Sequence, residues 1–251
     1  DQKTKRVMPK PFLILQLRPE NETADNEFES ITHYGEIKKS EVVRIRAEKS
    51  GLPNIDLDDY AAIIVGGSPF NVSDKQEHKS EEQKRVELDF YNLFDRIVER
   101  DFPFLGCCSG NGLLGSYCGA SISRKHGEPV GGANIFLTEE GKSDRLLKGL
   151  PSTFRVLLGH KEACDSLPPE CVLLATNDAC PVQIFKLKNN IYATQFHPEG
   201  DSEGFIIRIH VYKNYGYFPP GSVQQLIEAV EGEHVPEAQS ILRRFVSLYR
   251  V

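Results

Sequence analysis

Several common signatures are missing from this chain of 251 residues. No apolar run approaches the roughly 18 residues needed to cross a bilayer, so no membrane helix is expected. No long basic run is present and the formal net charge is −6, which argues against nucleic acid or an anionic membrane as the main partner. The basic start, Asp1 to Arg6, leads only into a short strand-like apolar stretch, so no signal peptide is expected. The six cysteines contain no Cys-x-x-Cys pair, and no His/Cys/Asp/Glu group has zinc-like spacing. A chain of this length can bury a core without disulfides. A reduced, cytoplasmic protein is therefore expected. A Gly-x-x-x-x-Gly-Lys loop is also absent, and nothing implies a metal, nucleotide or flavin cofactor. Internal repeats and low-complexity segments are lacking as well.

The chain does have the makings of a layered globular domain, with 39% apolar and 26% charged residues. After a polar arm (1–10), Phe12–Leu17 reads as a buried strand. Residues 21–37 carry Phe28, Ile31 and Tyr34 at helical spacing, and 41–46 alternates like a second strand. Pro53 and the acidic residues 56–59 mark a loop. A continuous apolar run from Tyr60 enters Gly66-Gly67, as expected of a parallel strand covered on both faces. Val86, Phe90, Leu93, Phe94 and Ile97 form one stripe of a helix over 80–100. A strand over 102–107 and a helix over 111–119 follow. This alternation predicts an α/β fold with a mainly parallel sheet flanked by helices.

The second half changes character. Strand-like stretches at 129–138, 154–158, 172–176, 182–187 and 191–196 are closely spaced, with a weak helix expected at 144–150. Together they predict an antiparallel edge, with a hairpin turn at Lys188–Asn190. Beyond His197 the pattern is helical: 205–216, a break at Pro219-Pro220-Gly221, then 223–230 and 238–249. The expected organisation is an arm (1–10), a catalytic domain (11–217) and a C-terminal helical extension (218–251).

Three stretches carry chemistry. Gly106-Cys107-Cys108-Ser109-Gly110 ends a strand and has the form of a nucleophile elbow with cysteine at its centre. Glycine is expected two residues on either side because a side chain there would collide within the turn. Cys107 lacks such flanks, having Leu105 and Ser109, so Cys108 is the preferred nucleophile. A helix N-terminus behind it would favour the thiolate and offer the Ser109 N–H to a developing oxyanion. In Gln195-Phe-His-Pro-Glu199, His197 and Glu199 are two residues apart and face one side of an extended chain. Glu199 can thus orient His197 while the other ring nitrogen meets Cys108. Gly66-Gly67 follows another strand and so lies at the same sheet edge, where the Gly67 N–H could join the oxyanion site.

Taken together, these motifs resemble the class I, triad-type glutamine amidotransferase domains over about residues 11–217, and most closely their stand-alone or GMP-synthase-type members. The resemblance implies a flavodoxin-like fold. It also implies attack of Cys108 on the side-chain amide of glutamine, with proton transfer by His197 held by Glu199. Water then hydrolyses a γ-glutamyl thioester, with Gly67 and Ser109 as oxyanion donors. Gly66, Asn111 and His160 are the candidate substrate-binding residues. His160 belongs to a Gly-His-Lys-Glu segment like one in the family. Asn111-Gly112 departs from the family, which commonly has a pair ending in Gln after the elbow.

The helices after Glu199 leave no room for an ATP-binding acceptor domain, so a separate ammonia-accepting synthetase chain is the expected partner. Two other readings compete with glutaminase chemistry. One keeps the triad but acts on γ-glutamyl peptides or amides. The other is a regulatory protein on the same fold, against which the late His-Pro-Glu argues.

Overall fold

The computed structural model describes residues 8–215, 218–219 and 221–251. Most of the expected arm, and the positions Gly216 and Pro220 of the expected helix end and break, lie outside them.

Four strands and the helices between them build the first half. They are β1 (Phe12–Gln16), β2 (Val42–Arg46), β3 (Ala62–Val65) and β4 (Phe104–Cys107), with α1 (Asn21–Gly35), the single turn α2 (Ala47–Ser50), α3 (Glu81–Arg100) and α4 (Ser109–Tyr117). After a short β5 (Ile122–Ser123) come β6 (Glu128–Leu137), α5 (Glu139–Ser143), β7 (Thr153–His160) and β8 (Ala163–Cys164). Then follow β9 (Cys171–Thr176), β10 (Ile184–Leu187) and β11 (Ile191–Thr194), and last α6 (Ser202–Tyr212), α7 (Val223–Val230) and α8 (Pro236–Tyr249).

Nine strands form one sheet in the order β2-β1-β3-β4-β11-β10-β9-β6-β7. The first five are mutually parallel, and the remaining contacts are antiparallel. The expected parallel sheet with an antiparallel edge is therefore present. Strand order reverses around β1, which makes the carboxyl edge near β1 and β3 a natural ligand crevice.

Alternation of side chains along β1 explains the layering. Phe12 and Ile14 join a core with residues of α6 and α8, whereas Leu13 and Leu15 join a core with Val86, Phe90, Leu93, Phe94 and Ile97 of α3. Each such fully buried side chain contributes roughly 1.5–3 kcal/mol of hydrophobic stabilisation. Ser80 starts α3 by accepting the Gln83 N–H at 3.0 Å, and Asp101 ends it in a left-handed conformation. In α8, Ile241, Leu242, Phe245 and Val246 are buried in the first core.

The weak helix expected at 144–150 is displaced. The helix is α5, five residues earlier, because Thr138 caps it by accepting the Gly141 N–H at 3.0 Å. Asp144 instead closes a turn on the Leu146 N–H and binds the Tyr192 hydroxyl and Lys186. No helix among the described residues is long and apolar enough to cross a membrane.

Candidate active site

The parallel pairing of β4 with β11 brings the two distant motifs side by side. Cys107 stands opposite Thr194 in the register, and the Cys108 N–H donates to the Thr194 carbonyl at 2.8 Å. The next residues on each strand, Cys108 and Gln195, are therefore neighbours. The Gln195 amide points at the Cys108 sulfur across 3.9 Å.

Cys108 has φ 56° and ψ −88°, a conformation that a side-chain-bearing residue adopts only at a cost. That sharp turn puts its side chain at the sheet edge and starts α4 directly behind it. A Cβ on Gly106 would lie 2.9 Å from the Gly110 backbone, so glycine is required there by the close approach of the helix. At Gly110 an added Cβ would meet only Val65 at 3.8 Å, an ordinary contact. The symmetric steric demand expected from sequence therefore holds on one side only. Cys107 is fully buried on the strand, and burial, followed by the charges of Glu199 and Glu27, pushes its thiol well above the usual range.

His197 Nδ1 lies 2.8 Å from Glu199 Oε1, and both side chains are buried. The His197 and Cys108 side chains also form a hydrogen bond. Burial opposes the imidazolium charge, but Glu199 and then Cys108 outweigh it and raise the His197 pKa to about 9. Burial likewise opposes ionisation of Glu199, yet His197, Arg208 and Arg18 hold its carboxyl below the ordinary value. Arg208 reaches Glu199 Oε1 at 3.3 Å from α6.

The Gly-Gly loop is backed by charge. Arg18, just past β1, pairs with Glu27 of α1 at 2.6 Å, and both are buried. Glu27 also accepts the Gln16 amide at 3.1 Å and the Gly67 N–H at 3.1 Å. The Gly67 amide expected at the oxyanion is thus engaged by a carboxylate in this structure. The cause is the buried ion pair directly behind the loop. A Cβ on Gly66 would meet Glu27 Oε1 at 2.2 Å, and one on Gly67 would meet Arg18 at 2.5 Å and His197 Cε1 at 2.9 Å. Gly66 and Gly67 serve close approach, and neither lines the cavity that opens at this edge.

That cavity measures about 360 Å³, and Cys108, Ser109, Gln195 and His197 lie along it. Of the candidate substrate residues, His160 borders it and Asn111 does not. Helical geometry is the reason: Ser109, Gly112 and Leu113 share the cavity face of α4 at spacings of three and four. Asn111 falls on another face, fully buried, with its amide oxygen facing the Cys164 sulfur at 3.6 Å. The side chain of His160 is itself buried, not an exposed strand end. Its Nε2 lies 2.6 Å from Glu128 and its Nδ1 2.9 Å from the Glu162 carbonyl oxygen. The Glu162 carboxylate ties down the loop after β3 by accepting the Val72 and Ser73 N–H groups at 2.7 and 2.8 Å.

Glu128, His160 and Cys180 bring their ligand atoms within 4.8 Å of one another, a grouping that could hold a metal ion and that chain spacing conceals. The Glu128 carboxylate there also accepts the amides of Asn177 and Gln183, each at 2.8 Å. Burial opposes its ionisation, but these bonds and His160 hold its pKa below the ordinary value.

Arg18, Glu27 and Arg208 escaped the sequence reading, although two of them left a signal. Arg208 interrupts the apolar stripe of α6 between Phe205 and Tyr212, and Glu27 stands one turn before Ile31 on the buried face of α1. A charge on a buried stripe calls for a partner.

Comparison with known proteins agrees with this geometry. The profile of the family "Glutamine amidotransferase class-I" matches residues 23–207. The chain is 30% identical over 157 residues to a subunit of the glutamine-hydrolyzing GMP synthase of Pyrococcus abyssi, covering 62% of this chain and 78% of that one. It is 28% identical over 158 residues to the glutamine-hydrolyzing GMP synthase of Borreliella burgdorferi, but the match spans only 28% of that longer protein. In fold it is similar to a glutamine amidotransferase from Thermotoga maritima, with a TM-score of 0.74 at 21% identity over 95% of this chain and 97% of that one. A profile match across most of the chain, on a fold of the same kind, is decisive: the chain belongs to the class-I glutamine amidotransferase family.

Proposed function

We propose that this protein is a cysteine-dependent glutaminase of the amidotransferase type, with Cys108, His197 and Glu199 as its triad. The observation that carries this reading is the buried 2.8 Å His197–Glu199 contact beside a thiol on a strained elbow. Glu199 accepts from Nδ1 and fixes the ring, so Nε2 faces the sulfur. The thiolate adds to the γ-carbonyl carbon of glutamine, the C–N bond breaks, and His197 protonates the departing ammonia. Water, deprotonated by His197, then cleaves the thioester to glutamate. Ser109 opens α4, so its N–H has no partner within the helix and is available to the oxyanion. Gly67 joins it once its amide turns away from Glu27. Ammonia passes to a separate synthetase chain; the archaeal relatives, each named as one subunit of a GMP synthase, support this assignment.

The direct test is labelling with an electrophilic glutamine analogue, alongside ammonia release from glutamine. Modification at Cys108 and loss of both signals in Cys108→Ala are expected. An unlabelled Cys108 in folded protein would favour a non-enzymatic role.

A second reading, hydrolysis of γ-glutamyl peptides or amides by the same triad, is favoured by the cavity. Its volume lies in the range of about 300–1,000 Å³ that accommodates drug-sized ligands, well beyond what a primary amide needs. Turnover of γ-glutamyl peptides without turnover of glutamine would replace the first reading by this one.

A further inference from the structure

The C-terminal segment does more than cover the core: Phe218, Pro219, Ser222 and Leu226 line the same cavity as Cys108 and His197. This segment lies beyond the residues matched by the family profile. We propose that these residues wall an apolar annex that receives the substituent on the departing nitrogen, so that the substrates include γ-glutamyl amides of apolar amines. The inference rests on the reading of Cys108 as the residue that forms the γ-glutamyl thioester.

Direction comes from the chemistry. The nitrogen that leaves takes its proton from His197, so whatever it carries lies on the His197 side of the scissile bond. From His197 the wall is continuous. Its ring stands edge-on to Phe205 with centroids 5.4 Å apart. Phe205 and Ile209 of α6 line the cavity, and α7 packs against α6.

A second route runs through the sheet. The His197 N–H donates to the Leu157 carbonyl at 3.0 Å, and the neighbouring Leu158 pairs with Gly131 of β6. Gly131 in turn faces Ala229 of α7, where an added Cβ would stand 3.6 Å away. Both routes converge on Leu226 and Val130, which are partly buried against the first core and exposed toward the cavity.

The cations along the cavity do not make this wall polar. Arg18 is held by Glu27 and the Tyr212 hydroxyl, and Arg208 by Glu199. An unsubstituted amide loses only ammonia, which has no use for such a surface. An alkyl or aryl group on the nitrogen would fill it.

The reaction is the same as for glutamine. Sulfur bonds to the γ-carbon, the C–N bond breaks, and the amine leaves with the proton from His197. Water then hydrolyses the thioester, so the amide plus water gives glutamate plus amine.

The test is a series of γ-glutamyl n-alkylamides, methyl to hexyl, assayed on the full chain with glutamine as reference. Each methylene transferred from water to an apolar wall is worth roughly fourfold in kcat/KM. The expected result is a rise of about that factor per carbon over the first several carbons, and a slope flattened by Leu226→Asp. A flat or falling series in wild-type protein that still turns over glutamine through Cys108 would overturn the annex and leave the proposed function standing. An unchanged slope in Leu226→Asp would also overturn it. Failure to turn over glutamine or any alkylamide, with Cys108 unlabelled, would overturn the functional reading and the annex together.

Discussion

The Gly67 N–H donates to the Glu27 carboxylate at 3.1 Å, so the loop expected to complete the oxyanion site is tied to a buried ion pair on α1. Glu27 thereby links three elements that are far apart in sequence: β1 through Gln16 and Arg18, α1, and the loop after β3. Removing one partner of such a pair leaves the other charge buried and uncompensated. Glu27→Leu is expected to lower stability by about 3–5 kcal/mol, read as a drop in the urea midpoint. A loss below about 1 kcal/mol, the range of exposed pairs, would mean that Arg18 finds water in the variant.

The two adjacent cysteines should separate cleanly. Cys108→Ala is expected to abolish ammonia release and labelling by an electrophilic glutamine analogue. Cys107→Ala removes a fully buried thiol from the strand and only weakens activity. Its effect falls on stability, about 1–2 kcal/mol for a small core truncation. Equal loss of activity in both variants would undo the choice of nucleophile.

Gly67→Ala probes close approach. The new methyl group would meet Arg18 at 2.5 Å and His197 at 2.9 Å, and both are buried and already bonded. Displacing the His197 ring by about 1 Å is expected to cost on the order of 100-fold in kcat. Steady-state kinetics of ammonia release measure this, and a variant within threefold of wild type would show that the loop relaxes freely.

The His197–Glu199 pair predicts a pH signature in stability. The folded-state pKa of His197 is raised to about 9 from its ordinary 6.5, with burial working against the rise and Glu199 the larger of the charges that produce it. A raised pKa means that the charged form is stabilised by folding. The contribution is complete below about pH 6.5 and is lost as pH climbs through about 9. The Tm advantage of wild type over Glu199→Gln should therefore be largest near pH 6 and shrink steadily toward pH 9.5. A gap that widens over that interval would contradict the assignment.

Much of the architecture is legible in the chain itself. Buried parallel strands are continuous apolar runs, and Phe12–Gln16, Ala62–Val65 and Phe104–Cys107 stand where those runs do. The stripe of α3 is equally plain, because a helix buried on one face must repeat its apolar residues every three or four positions. The misplaced helix near residue 144 has a local cause: the cap at Thr138 outweighed a weak periodicity.

The site divides along the same line. By itself the sequence determined the family, the elbow cysteine and the His-Pro-Glu segment, because each is a contiguous motif whose spacing is already its geometry. Only the tertiary structure decided that Glu27 holds the Gly67 amide, that Arg208 backs Glu199, that Asn111 faces away from the cavity and that Leu226 faces into it. Those relations depend on the order of strands in the sheet and on the rotation of each helix about its axis. Both are set by long-range packing, which local spacing does not encode.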